Sequence, residues 1–253
     1  MTWKSRPREL FAAVLAFARS EASALVALAL IAGAVLAFIG IADEMAEGDS
    51  HTFDMAVLQA LHPGPDLRDP IGPAWLDRAA ADFTSLGSVS VLATITVAVA
   101  GFLMLSRRSL EAALLAVAFG GGLAISEGLK GLFGRERPPD IYRAMETLNP
   151  SFPSGHALLS AVLYLTLGAM LARATPRGSL RVYVMACAMV IALMVGATRV
   201  YLGVHWASDV VAGWCAGAAW ATACWLFERW ATGDLKRRGD QTPEAARRTS
   251  TTS

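Results

Sequence analysis

Charged residues are scarce in this chain, 17% against 55% hydrophobic ones, and a mean hydropathy of +0.45 is too apolar for a soluble domain. The expectation is a membrane protein. What charge there is nearly balances at +1, so no basic field invites a nucleic-acid partner. Cysteine is limited to Cys187, Cys215 and Cys224, all inside apolar segments and without Cys-x-x-Cys spacing. That argues against a disulfide framework or a thiolate zinc site and leaves packing between helices as their role. There are only four histidines, no His-x-x-x-His pattern and no carboxylate cluster. No metal and no other cofactor is expected, short of ligands assembled from distant segments. No internal repeat is evident.

Long charge-free runs are present instead: Ala22 to Ala42, Phe83 to Ser106, Leu110 to Ser126, Leu148 to Ala172, Val182 to Thr198 and Val210 to Phe227. A spanning helix consumes about 20 residues, so the chain reads as all-α, a polytopic bundle of six transmembrane helices over residues 22–232. The first run follows Lys4, Arg6, Arg8 and Arg19 but lacks a small-x-small cleavage site, which makes it a retained anchor behind a cytoplasmic segment, residues 1–21. Between the first two spans, Phe53, Val57, Leu58 and Leu61 share one helical face and several prolines follow. A short extramembrane helix lying at the interface is expected there. Residues 233–253 are polar and aperiodic and read as a disordered cytoplasmic tail.

Lysine and arginine flank alternate ends of the spans, at Lys4 to Arg19, Arg107 and Arg108, Arg173 to Arg181, and Lys236 to Arg238. The positive-inside rule puts those ends, and both termini, in the cytoplasm of a multi-pass protein of the cell (inner) membrane. The remaining polar residues then fall together on the periplasmic or extracellular face. Cations in that set, Lys130, Arg135, Arg137 and Arg143, break the charge rule locally, as a functional demand for positive charge would require.

Three clusters make up that outer set. His205 and Asp209 are spaced to share one helical face, where a carboxylate on one ring nitrogen leaves the other unprotonated. Such a pair alone serves structure more often than chemistry, but Arg199 precedes it, and a guanidinium suits bidentate contact with phosphate oxygens. Pro153-Ser154-Gly155-His156 stands before the fourth apolar run. Ser154 reads as the N-cap, Gly155 allows close approach of the backbone, and the exposed amides of the helix start can hold an anion beside His156. Lys130 and Arg137 lie about two helical turns apart, presenting charge from one side before Pro138-Pro139 ends the segment. Preorganised Lys and Arg stabilise the charge spread over the oxygens of a transferring phosphoryl group. Arg135 and Glu136 read as a solvated surface pair, Trp206 and Trp230 as interfacial belt residues, and Gly128, Gly131, Gly134, Gly213 and Gly217 as close helix-packing positions.

Lys130-x6-Arg137-Pro138, Pro153-Ser154-Gly155-His156 and Arg199-x5-His205-x3-Asp209 together resemble the three-part signature of the type-2 phosphatidic acid phosphatases, a superfamily shared with vanadium haloperoxidases. The motifs cover residues 130–209, and the six-span pattern is similar to the membrane-bound lipid phosphatase branch. The resemblance implies that His205 attacks phosphorus to form a phosphohistidine, that Asp209 orients it, and that His156 protonates the leaving group. It implies that Lys130, Arg137, Ser154, Gly155 and Arg199 bind the phosphoryl oxygens of a lipid phosphate partner held in the bilayer, without a metal. Thr198 stands where the family's third motif usually begins with serine, which retains the hydroxyl. Two alternatives stay open: a lipid phosphotransferase that discharges the same intermediate to an alcohol, and a non-catalytic lipid transporter. Transport sites sit near the bilayer midplane, whereas these clusters map to span ends.

Overall fold

The computed structural model describes the backbone of residues 6–143 and 149–249 and the side chains of residues 22–143 and 149–232. The described residues form helices and no strands: α1 (Arg6–Glu47), α2 (Ser50–Leu61), α3 (Ala74–Ser85), α4 (Val89–Leu105), α5 (Ser109–Phe133), α6 (Gly155–Ala174), α7 (Gly178–Tyr201) and α8 (Ala207–Thr249). Five stretches are long and apolar enough to cross a bilayer, Ala22–Glu47, Ser109–Phe133, Gly155–Ala174, Gly178–Tyr201 and Ala207–Thr232. The pair α3 and α4, bent by 49°, makes a sixth when taken as one broken span. The all-α bundle is therefore as expected, with a difference at one span. The fourth span starts at Gly155 rather than Leu148, and the backbone of α8 is helical to Thr249. The side chains of residues 1–21 and 233–253, and the expectations attached to them, lie outside the described residues.

The second span is broken at a point that a charge-free run does not mark, although Ser85, Gly87 and Ser88 stand there. A continuous helix from Phe83 to Ser106 was expected, but the chain turns at Leu86, Gly87 and Ser88. Ser88 restarts the helix by accepting the Val91 N–H at 3.4 Å, a serine cap of the usual kind. Gly87 is needed at the bend because a side chain there would run into Val195 and stand 3.2 Å from His156 Cδ2. Hydropathy missed α3 because Asp77, Arg78 and Asp82 interrupt it.

α6 is the central helix. Its Leu158, Leu159, Val162 and Leu163 are buried against Leu92 and Leu103 of α4 and Leu115 and Ala118 of α5. Helices in lipid associate through close packing rather than escape from water, and the contact between α6 and α8 shows how. A Cβ on Gly213 would stand 2.7 Å from Ser154 O and one on Gly217 2.5 Å from Leu158 O, so glycine lets the two backbones touch. The other glycine group behaves differently. Gly128 and Gly131 meet nothing within 4 Å, and Gly134, at φ 58°, is the left-handed residue that ends α5. Packing does not explain those three. Trp214 and Trp220 fill the space beside Gly196 and Gly121, their indole N–H groups donating to Ala192 O at 3.0 Å and Ala118 O at 2.9 Å.

α2 forms where the extramembrane helix was expected and docks on the bundle rather than standing apart. Its Leu58 packs with Tyr142 and Trp206, and its Asp54 is buried.

Candidate active site

The C-terminal end of α5, the N-terminal end of α6, the α7–α8 turn and the α3–α4 break meet at one end of the bundle. Between them lies a cavity of about 480 Å³ lined by Lys130, Arg137, Gly155, His156, Arg199 and His205, with Gly87, Val89, Ser126, Glu127, Asn149 and Leu159. Six of the eight residues singled out from the sequence thus face one space. The other two, Ser154 and Asp209, stand behind it, fully buried.

The α7–α8 turn sets the first imidazole. Gly203, at φ 66°, sits against the Tyr142 carbonyl in a backbone conformation open to glycine, and the Val204 and His205 N–H groups return to Arg199 O at 3.1 and 3.3 Å. Asp209, one turn into α8, places Oδ2 at 3.4 Å from His205 Nδ1, and that oxygen also accepts the Trp206 N–H at 3.0 Å. The Ser151 hydroxyl hydrogen-bonds the same oxygen and lies 3.3 Å from His205 Nδ1. A carboxylate on this side assigns the ring proton to Nδ1 and leaves Nε2 with its lone pair. Nε2 faces Arg137, whose Nη1 donates to it at 3.2 Å and to Val204 O at 2.7 Å, while Arg137 Nε donates to Asn149 O at 2.7 Å.

Burial pushes the His205 imidazole down to about 4, against the opposing pull of Asp209, so the ring is neutral at pH 7. Burial also lowers the Arg137 guanidinium, with Asp209 acting in the other direction. Arginine nonetheless stays cationic in proteins. A neutral base or nucleophile beside fixed positive charge is the combination that results.

A second wall of the cavity is built from the start of α6. Ser154 N–H is already committed to Asp209 O at 2.9 Å, which ties this helix start to α8. Gly155 presents its backbone closely, because a Cβ there would lie 3.1 Å from Ser126 Oγ and 3.2 Å from Lys130 Nζ. The Ser154 hydroxyl, expected to cap the helix, makes no cap hydrogen bond, and both it and the Ser126 hydroxyl are buried without a partner among the described residues. Buried hydroxyls are normally satisfied, so two unsatisfied ones beside a cationic cavity suit an incoming oxyanion. Lys130 pairs with Glu127 at 3.1 Å, and buried Arg199 donates from Nη1 to Thr84 Oγ1 at 3.0 Å. No group of three His, Cys, Asp or Glu side chains with metal-holding geometry occurs among the described residues.

Several expectations are corrected. Arg135 is no solvated surface residue: its side chain is 11% exposed and donates to Asp209 Oδ1 at 2.5 Å and Asp54 Oδ2 at 2.7 Å. Trp206 is buried rather than interfacial, its ring 5.6 Å from the Arg135 guanidinium and its N–H on Glu136 O at 2.9 Å. Thr198 turns its hydroxyl back to Val195 O at 2.7 Å and does not line the cavity. Ser126 and Ser151 were not singled out at all. Ser126 stands one helical turn before Lys130 and was legible from that register, whereas Ser151 carries no local signal of its contact with residues more than fifty positions away.

Several known proteins are similar to this chain. Residues 109–232 match the profile of the PAP2 superfamily. Phosphatidylglycerophosphatase B of Bacillus subtilis is 32% identical over 146 residues, covering 56% of this chain and 70% of that protein. Undecaprenyl-diphosphatase of Sulfolobus acidocaldarius is 30% identical over 109 residues, covering 41% of this chain and 48% of that one. The crystal structure of the transmembrane PAP2 type phosphatidylglycerolphosphate phosphatase from Bacillus subtilis superimposes with a TM-score of 0.72 at 27% identity, over 79% of this chain and 96% of that one. Aquifex aeolicus LpxE shares the fold at a TM-score of 0.50 and 22% identity, over 67% and 93% of the two chains. With its three polar clusters gathered around one cavity in a multi-pass membrane bundle, the chain belongs to the PAP2 superfamily, in the membrane-bound, bacterial-type branch of lipid phosphatases.

Proposed function

We propose that the protein hydrolyses a lipid phosphate monoester or pyrophosphate through a phosphohistidine on His205. One observation carries this reading: His205 Nε2, the ring nitrogen turned away from Asp209, lies 3.2 Å from Arg137 Nη1 in a cavity also lined by Lys130, Arg199, Gly155 and His156. In the reaction the Nε2 lone pair attacks phosphorus and the bond to the lipid alkoxide or phosphate breaks. His156 supplies the proton that the departing oxygen takes. Asp209 keeps the Nδ1 proton in place and stabilises the imidazolium that forms. Lys130, Arg137, Arg199, the Ser154 hydroxyl and the Gly155 amide hold the equatorial oxygens, where charge grows in the transition state. Water then attacks the phosphohistidine and gives its proton to the deprotonated His156, which breaks the N–P bond, releases phosphate and restores both rings.

The relatives point to substrates of this class, a phosphatidylglycerophosphate in one and an undecaprenyl diphosphate in another. The shared feature is a phosphate at the membrane surface with an apolar tail in the bilayer, which a site at the span ends accommodates. The charge pattern supports placing that site on the periplasmic or extracellular face. The test is phosphate release by purified protein from phosphatidate, phosphatidylglycerophosphate and an undecaprenyl pyrophosphate, in chelator, with His205→Ala alongside. The expected result is release from at least one lipid, loss of nearly all turnover in the variant, and an acid-labile phosphoenzyme in the wild type. Activity that persists in His205→Ala refutes the mechanism. Transfer to an added alcohol exceeding phosphate release assigns the protein to phosphotransfer instead.

A further inference from the structure

Behind the cavity lies a second ionic cluster, and the reading above leaves two of its members, Asp54 and Arg135, without a task. The Asp54 and Asp209 side chains are both fully buried, and Arg135, 11% exposed, bridges them. Arg135 Nη1 holds Asp209 Oδ1 at 2.5 Å and Nη2 holds Asp54 Oδ2 at 2.7 Å, so the two arms of one planar fork grip two carboxylates. Asp54 Oδ2 also accepts the Ser208 hydroxyl at 2.5 Å, and Oδ1 accepts the Ser208 N–H at 2.9 Å. Arg135 Nη1 reaches the same hydroxyl at 2.7 Å, and the Trp206 ring lies 5.6 Å from the guanidinium.

We propose that Asp54, on the helix between the first two spans, is a positioning residue for the phosphate chemistry, acting through Arg135 and Ser208 on Asp209. The inference rests on the reading of His205 and Asp209 given above and extends the working site to α2. Two arguments support it. Buried ion pairs seldom repay their desolvation, and apolar replacements of similar volume are often as stable, so fold stability alone gives weak reason to bury two carboxylates with one guanidinium. The geometry also has a directional result. With Oδ1 of Asp209 fixed by Arg135, the carboxylate cannot rotate, and Oδ2 is left facing His205 Nδ1, Ser151 and the Trp206 N–H. Asp54 completes this by holding the far arm of Arg135 and the amide of Ser208, the residue adjoining Asp209 in the first turn of α8. One carboxylate on α2 thus fixes both the side chain and the backbone that aim the imidazole.

The test compares wild type, Asp54→Asn, Arg135→Met, the double variant and Arg135→Lys, purified in detergent and assayed for phosphate release from a lipid that the wild type hydrolyses. Monodispersity and melting temperature establish folding. Asp54→Asn is expected to lower kcat roughly tenfold, the scale on which partners behind a working histidine act, with KM changed by less than about twofold. In the Arg135→Met background the same substitution is expected to add no further loss, since its route is gone. Arg135→Lys keeps the charge but not the fork and is expected to stay impaired. A folded Asp54→Asn protein with wild-type kcat, a change confined to KM, losses that multiply fully in the double variant, or full activity in Arg135→Lys would each overturn the proposal. Where Asp54→Asn does not fold, Asp54→Glu, which moves the carboxylate by one methylene, takes its place with the same outcomes. An inactive wild type refutes the phosphatase reading itself, a result distinct from all of these.

Discussion

At the scale of single residues, the proposed chemistry turns on which face of the His205 ring is basic. Asp209 and Ser151 occupy the Nδ1 side, while Nε2 opens toward Arg137 and the cavity. Because burial outweighs Asp209 and holds the imidazole near 4, below its ordinary value of 6.5, the ring loses its lone pair only as the pH falls toward 4. The acidic limb that His205 contributes to kcat/KM is accordingly expected near 4, with activity rising as pH rises through it. Asp209 opposes that depression, so Asp209→Asn removes the negative charge that raises the imidazole and is expected to move the limb to still lower pH. It is also expected to cut kcat by about 10²- to 10⁴-fold through loss of the tautomer. A limb that moves upward in the variant would contradict the arrangement. Ser126 offers a second check, since its buried hydroxyl has no partner to lose among the described residues. Ser126→Ala is expected to leave the melting temperature nearly unchanged and to raise the inhibition constant for inorganic phosphate about tenfold, the worth of a hydrogen bond to a charged group.

Among the helices, α6 decides both packing and site geometry, because the strip that α8 presses against begins at Ser154, beside Gly155 and His156. Gly213 and Gly217 of α8 lie on the carbonyls of Ser154 and Leu158, and backbone cannot step aside as a flexible side chain would. Gly217→Ala is expected to force the helices apart and cost about 1–3 kcal/mol, measured as a lower melting temperature in detergent. Gly120→Ala, on α5 where nothing lies within 4 Å, is the control and is expected to be neutral or slightly stabilising. Gly213→Ala differs from Gly217→Ala in kind, since the carbonyl it displaces belongs to Ser154, and it is expected to slow turnover beyond its effect on stability. Equal kcat in the two variants would separate the helix seam from the site.

For the molecule as a whole, what the sequence made legible divides along a physical line. Spans and motifs are local: apolar runs long enough for a bilayer show in hydropathy, and Lys130, Arg137, His156, Arg199 and His205 advertise themselves by type and spacing, so most of the bundle and cavity wall was readable. Contacts between distant segments are not local. Nothing in the surroundings of Arg135 announces that Asp54 and Asp209 will meet on it, and Trp206 beside an apolar run looks like an interfacial ring until its N–H is seen on Glu136 O. The break at Leu86 to Ser88 falls where Thr84, Ser85, Gly87 and Ser88 lower the hydropathy without adding charge, so a search for charge-free runs passes over it, and the packing of Gly87 against Val195 and His156 marks it. Orientation is a property of the entire chain and follows from where cations sit. Arg107 and Arg108 join α4 to α5, and Arg173, Arg177 and Arg181 lie where α6 joins α7, at the end opposite the cavity. Arg108 is paired with Glu111 at 2.5 Å and Arg173 with Glu228, yet the topology rule counts Lys and Arg rather than net charge, so these pairs do not weaken it. With Cys187, Cys215 and Cys224 replaced, single cysteines at exposed Gln59 on α2 and exposed Arg177 before α7 report the two faces. A membrane-impermeant maleimide is expected to label Gln59→Cys in intact cells and Arg177→Cys only after lysis, placing the cavity outside the cytoplasm. The reverse pattern would put the site inside and require the cations around it, Lys130, Arg135, Arg137 and Arg143, to be the ones that orient the protein.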